Sequence, residues 1–122
     1  MMTQRFALKR ASKKDGARLR KGNDAAEVLE PRAREAAHLL KLLSSEQRLT
    51  ILCRLSGGEM SVGELGQHVE LSQSALSQHL AKLRAERIVT TRRDAQTIYY
   101  HLADANAEKL VAFLCQLYGG KG

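Results

Sequence analysis

Residues 71–100, LSQSALSQHLAKLRAERIVTTRRDAQTIYY, constrain this chain more than any other stretch, because they read as a short helix followed at once by a basic β-hairpin. At about 100° per residue, Leu76, Leu80 and Leu83 share one stripe that must face a core. Ser72 stands at the N-cap position, where its hydroxyl can take one of the helix's unpaired amide protons. Opposite the leucines lie Ser74, Gln78, Ala81 and Ala85, with Gln73 and Ser77 on the shoulder and no acidic residue among them. Two β-branched and aromatic runs, residues 88–91 and 97–100, then flank Arg92-Arg93-Asp94-Ala95-Gln96, which predicts two strands with a charged tip.

Those residue types suit a DNA major groove. Glutamine amides pair bidentately with adenine, serine hydroxyls serve several bases, and the two alanines keep the helix slim. Gln73, Ser74, Ser77 and Gln78 are therefore the candidate base readers. Arg92, Arg93 and Gln96 in the hairpin are expected at phosphates or in a narrow minor groove. Ser61, Lys82, Arg84 and Arg87 add further backbone contacts. A serine- and glutamine-rich helix alone is as often a solvated surface, and it is the basic hairpin behind it that tips the balance. His79 flanks the leucine stripe and is expected to pack rather than to read bases.

The scaffold can be read around that unit. Pro31 suits the start of a helix running to about Leu43, with Leu39, Leu40, Leu42 and Leu43 as its apolar side. A second helix is predicted over 46–55, stopped by Gly57-Gly58. Ser61-Val62-Gly63-Glu64 is a capping-box pattern opening a short third helix that ends near Val69. The last helix, over 104–118, carries two apolar stripes: Leu110, Phe113, Leu114 and Leu117 on one, Val111, Cys115 and Tyr118 on the other. A helix apolar around so much of its circumference must be buried on two sides. A homodimer is expected, its interface built from Leu39, Leu110, Phe113, Leu114, Leu117 and Tyr118. Its two reading helices would then enter grooves one DNA turn apart, roughly 34 Å. The expected fold class is mainly α with a small β-hairpin: a winged helix-turn-helix of five helices plus a two-stranded wing, dimeric through its terminal helices.

At 122 residues the chain has room for one core. Residues 1–22 hold eight lysines and arginines against one acid, while the remainder balances twelve against twelve, so the whole net charge of +7 sits in the N-terminal stretch. The expected organisation is a basic, unstructured extension over 1–30, a folded domain over 31–118 and a short tail over 119–122. The extension suits an arm that adds sequence-independent affinity through counterion release, equally a solubilising extension or a misassigned start. Neither a signal-peptide run nor a membrane-length apolar segment is present, which points to a cytoplasmic protein with no membrane partner. Nothing reads as a nucleophile elbow, phosphate-binding glycine loop, metal-binding triad or paired-carboxylate motif, so neither an enzyme nor a cofactor is expected. A winged-helix protein-interaction module is the alternative from another class. It calls for exposed aromatic or leucine anchors where this helix has Ser, Gln, Ala and Arg.

LSQSALSQHLAKLR, TRRDAQTIYY and SVGEL together resemble the ArsR/SmtB family of winged-helix repressors, over residues 33–118. The resemblance implies a homodimeric repressor with long terminal helices at its interface, bound to double-stranded DNA at an imperfect palindrome near promoters. The metal ligands of the family's sensors are mostly missing, with one in four kept at the second site. Ser61 and Gly63 stand where one site has cysteines, and Asp104, Asn106, Leu117 and Gly120 where another has Asp, His, His and Glu. His38, His68, His79 and His101 show no ligand spacing, so no metal is expected.

Sulfide-responsive members of the family use one cysteine on the second helix and one on the last as a thiol switch. Cys53 matches the first position, but the second falls at Gly119, with Cys115 one turn earlier. One turn is about 5.4 Å of rise, expected to break a disulfide that tolerates Cα separations of about 4.4–6.8 Å. Reduced, inert cysteines are favoured, and a thiol- or persulfide-responsive repressor switched by Cys53 and Cys115 is the alternative.

Overall fold

Helix begins earlier in this chain than Pro31. The computed structural model describes residues 24–119, and the basic stretch 1–22 and the tail beyond Gly119 lie outside the described residues. The chain divides into two units, with the boundary after His38. In the first, α1 (Ala25–Leu29) is capped by Asp24, whose carboxylate accepts from the Ala26 amide at 2.8 Å. A 3-10 turn over Glu30–Arg32 follows, with Pro31 at its start, where a missing amide proton costs nothing. Regular helix resumes at α2 (Ala33–Leu43), and Arg32 Nε donates to Glu35 Oε1 at 2.7 Å.

The second unit holds the other expected helices: α3 (Glu46–Leu55), α4 (Val62–Gly66), α5 (Gln73–Ala85) and α6 (Ala105–Tyr118). Short-range polar patterns set their starts. The Ser45, Ser72 and Asp104 side chains accept from the amides of Arg48, Ala75 and Ala107. Ser61 and Glu64 form the full capping box, with bonds of 3.1 and 2.9 Å. The α4 helix stops at Gly66 rather than near Val69, because the amides of Gln67, His68 and Val69 turn back onto Glu64 and Leu65 carbonyls. Arg48 does a second job: its Nε donates to the Leu42 carbonyl at 2.7 Å, satisfying a C-terminal acceptor of α2.

Where the sequence predicts two strands, the described residues form three. β1 (Met60–Ser61), β2 (Val89–Asp94) and β3 (Thr97–Leu102) form an antiparallel sheet of order β1–β3–β2. Its register pairs Ser61 with Tyr99 and Tyr99 with Arg92. Two residues are too few to show strand alternation, which is why β1 is invisible in the sequence. The hairpin also turns later than expected. Asp94 pairs with Thr97, leaving only Ala95 and Gln96 in the turn, with Ala95 at φ 58°. Arg92 and Arg93 are thus strand residues on opposite faces of the sheet rather than a tip.

The core draws on every element of this unit except β1 and β3: Leu42 and Leu43 of α2, Ile51, Leu52 and Leu55 of α3, Leu65 of α4, the three leucines of α5, Val89 of β2, and Ala107 and Val111 of α6. Between α5 and β2 the chain makes a Schellman turn. The Ile88 amide bonds the Leu83 carbonyl and the Arg87 amide bonds that of Arg84, while Leu83 and Ile88 are both buried. Arg87 occupies the left-handed position of that turn, at φ 62°, where glycine is usual. Arg87→Gly should therefore stabilise the fold by about 1 kcal/mol, read as a raised denaturation midpoint. Unchanged or lower stability would show that the Arg87 side chain repays its backbone strain within the fold.

Candidate nucleic-acid interface

One helix and one hairpin carry the candidate contact residues. On α5, Leu76, Leu80 and Leu83 are buried, which fixes the opposite face outward. That outward face shows two rows at helical spacing, Ser74–Gln78–Lys82 and Gln73–Ser77–Arg84, all exposed, with Ala81 and Ala85 exposed beside them. His79 is half-buried on the flank, as expected of a packing residue. No acidic residue stands in the first turn and two basic residues stand in the last, so the face is neutral where it would meet bases and positive further along.

The hairpin follows α5 after only the three residues of the turn, and its cations are placed unequally. Arg93 and Gln96 are exposed. Arg92 is held: its Nε donates to both Glu59 oxygens, at 2.9 and 3.0 Å, and its Nη2 donates to Oε2. Its guanidinium lies 4.7 Å from the centroid of the Tyr99 ring. The Arg92 guanidinium holds the Glu59 carboxyl below the usual carboxylate range. The pairing is therefore present above that range and is lost as pH falls through the lowered value. The sequence gives no sign of Glu59, which lies thirty-three positions from Arg92. On the same face of the sheet, the Thr90 hydroxyl meets the His101 ring at 3.0 Å. Ser61 is half-buried, and its hydroxyl oxygen accepts the Glu64 amide while its proton stays available to donate.

The candidate interface residues of the terminal helices split in two. Leu39 and Leu110 are half-buried against the core. Phe113, Leu117 and Tyr118 project from α6 at 54, 57 and 83% exposure. Leu40 of α2, not among the expected interface residues, is 56% exposed as well. Leu114 is half-buried.

The two cysteines lie on the packed helices α3 and α6. Packing of α3 on α6 makes Cys53 and Cys115 electrostatic neighbours, and both are solvent-accessible free thiols. Burial pushes the Cys53 thiol up, and the neighbouring Cys115 adds to the shift. Among the described residues, no group of three His, Cys, Asp or Glu is placed to hold a metal ion, and no helix is long and apolar enough to cross a membrane.

Residues 45–91 match the family model for the bacterial regulatory protein, arsR family. The chain is 48% identical over 90 residues to the transcriptional activator HlyU of Vibrio cholerae, covering 74% of this chain and 83% of that protein. It is 51% identical over 84 residues to the nodulation protein NolR of Rhizobium meliloti, covering 69% of each. Among solved structures, the transcriptional repressor BigR from Xylella fastidiosa superposes with a TM-score of 0.72 at 47% identity, over 75% of this chain and 94% of that one.

Proposed function

This chain belongs to the arsR family of bacterial regulatory proteins and is a DNA-binding transcriptional regulator, and from that premise we propose that it acts as a repressor. It does so as a homodimer on an imperfect palindrome, by occupying promoter DNA. One observation carries the proposal: α5 buries its leucines and leaves an acid-free row of serines and glutamines outward, beside a basic hairpin. Gln73, Ser74, Ser77 and Gln78 read base edges. Lys82, Arg84, Arg87, Arg92, Arg93, Gln96 and Ser61 meet the backbone or the minor groove. The exposed apolar side of α6, with Leu40 and Leu39 of α2, pairs with its copy across a two-fold axis. The folded domain spans 31–118, and the basic stretch before it adds charge-driven, sequence-independent affinity.

Relatives of both signs exist, an activator and a repressor among them. Repression is favoured because occupying a promoter needs only the DNA contact, and no activation motif is present in the sequence. A thiol-responsive regulator is less favoured. Cys53 and Cys115 are electrostatic neighbours, but the raised Cys53 thiol leaves little thiolate for oxidation at neutral pH.

Alanine at Gln78 and at Ser74 tests the reading face. Each substitution should cost about 1–3 kcal/mol of specific DNA affinity per base pairing it removes, with nonspecific binding and oligomeric state unchanged. Undiminished discrimination between the specific and a scrambled duplex in both variants would place base reading elsewhere.

A further inference from the structure

We propose that Glu59 is a positioning residue for the wing: it grips one edge of the Arg92 guanidinium so that the opposite edge is presented to the DNA backbone. The proposal rests on the wing contacting DNA, as argued above.

The geometry is built across the whole sheet. Glu59 immediately precedes β1, Arg92 lies in β2, and Tyr99 of β3 stands between them in register with both Ser61 and Arg92. The carboxylate takes Nε on both oxygens and Nη2 on one, so all the contacts fall on a single edge of the guanidinium. The Tyr99 ring covers one face of the group. An edge and a face of one planar cation are thereby fixed. Arginine has five N–H donors in a rigid fork, and those of Nη1 point away from the edge that Glu59 occupies. The Arg92 side chain is still 51% exposed, so that far edge is open to a ligand. A phosphate oxygen is the acceptor it suits, and a guanidinium already oriented loses less rotamer freedom on meeting it.

The sign of the effect separates this role from simple electrostatics. Glu59 is a negative charge beside a surface that meets phosphates. By charge alone, neutralising it strengthens DNA binding. If it positions Arg92, neutralising it weakens binding.

The test uses the full chain and a duplex taken from the DNA upstream of its own gene, titrated over a range of salt. Glu59→Gln should bind about fivefold more weakly despite its extra positive charge, and should lose about one unit of salt slope. Arg92→Gln should lose at least as much affinity and the same slope, and the Glu59→Gln, Arg92→Gln double variant should be no weaker than Arg92→Gln alone. A merely structural Glu59 would lower the melting temperature without moving the salt slope, and that outcome overturns the proposal. So does Glu59→Gln binding as tightly as the parent or tighter while Arg92→Gln is weakened. Arg92→Gln unchanged in both affinity and slope would instead remove the wing from the DNA contact, and the proposal would fall with its premise.

Discussion

Glutamate at both Phe113 and Leu117 is expected to give a folded monomer whose affinity for its DNA site is lower by about 10²- to 10⁴-fold. Both side chains are more than half exposed on α6, outside the buried core, so the substitutions leave the domain's own packing alone. Tyr118 and Leu40 are exposed as well, making up apolar surface on the terminal helices with no use inside one domain. In an isologous interface every side chain occurs twice, so each substitution is felt twice. Each buried apolar side chain contributes about 1.5–3 kcal/mol, and the variant replaces that gain with four carboxylates facing one another. DNA affinity follows because two half-sites on one dimer bind with a shared entropy cost that two monomers do not share. Sedimentation equilibrium and a duplex titration read the two effects separately. A variant that sediments like the parent would move the interface off this face of α6. A monomer with undiminished affinity would end the link between dimer and operator.

Leu80→Ala is expected to cost about 2–5 kcal/mol of folding stability. Leu80 is completely buried at the middle of α5, flanked by Leu76 and Leu83 on the same stripe. The cavity would lie under the helix that presents Gln73, Ser74, Ser77 and Gln78, against a total stability of about 5–15 kcal/mol for a domain of this kind. The urea midpoint should fall with the slope unchanged, and DNA binding should fall with the folded fraction rather than with altered base preference. A loss below about 1 kcal/mol would mean that α5 is not seated through its leucines, and the outward assignment of its polar rows would lose its support.

What is legible in the sequence is what short-range physics determines. Leu76, Leu80 and Leu83 announce themselves by helical spacing, and all three are buried. The Ser61–Glu64 capping box and the Ser72 cap need only the next three residues, and both are formed. The same holds for α3, whose ends at Glu46 and Leu55 follow from a serine cap before it and two glycines after it.

Contacts between distant segments are not legible. Arg92 reads as a free tip cation because nothing local reveals Glu59, which reaches it only after three strands have paired. The electrostatic influence of Cys115 on Cys53 depends on how α3 and α6 pack, which a count of helical turns does not supply. Backbone conformation is equally hidden. Arg87 sits where glycine is usual, so the left-handed turn that aims the hairpin has no glycine to mark it. On the terminal helices, spacing identifies the apolar residues but not how they divide, since Leu39 and Leu110 lean on the domain while Leu40 faces away.

The most direct test of DNA recognition by a two-fold pair of α5 helices is a hydroxyl-radical footprint on the DNA upstream of the protein's own gene, run with the parent and with Gln78→Ala. The expected result is two protected patches related by a dyad and about one helical turn apart, roughly 34 Å, that fade together in the variant. A single patch, or protection spread without a dyad and indifferent to Gln78, would contradict it.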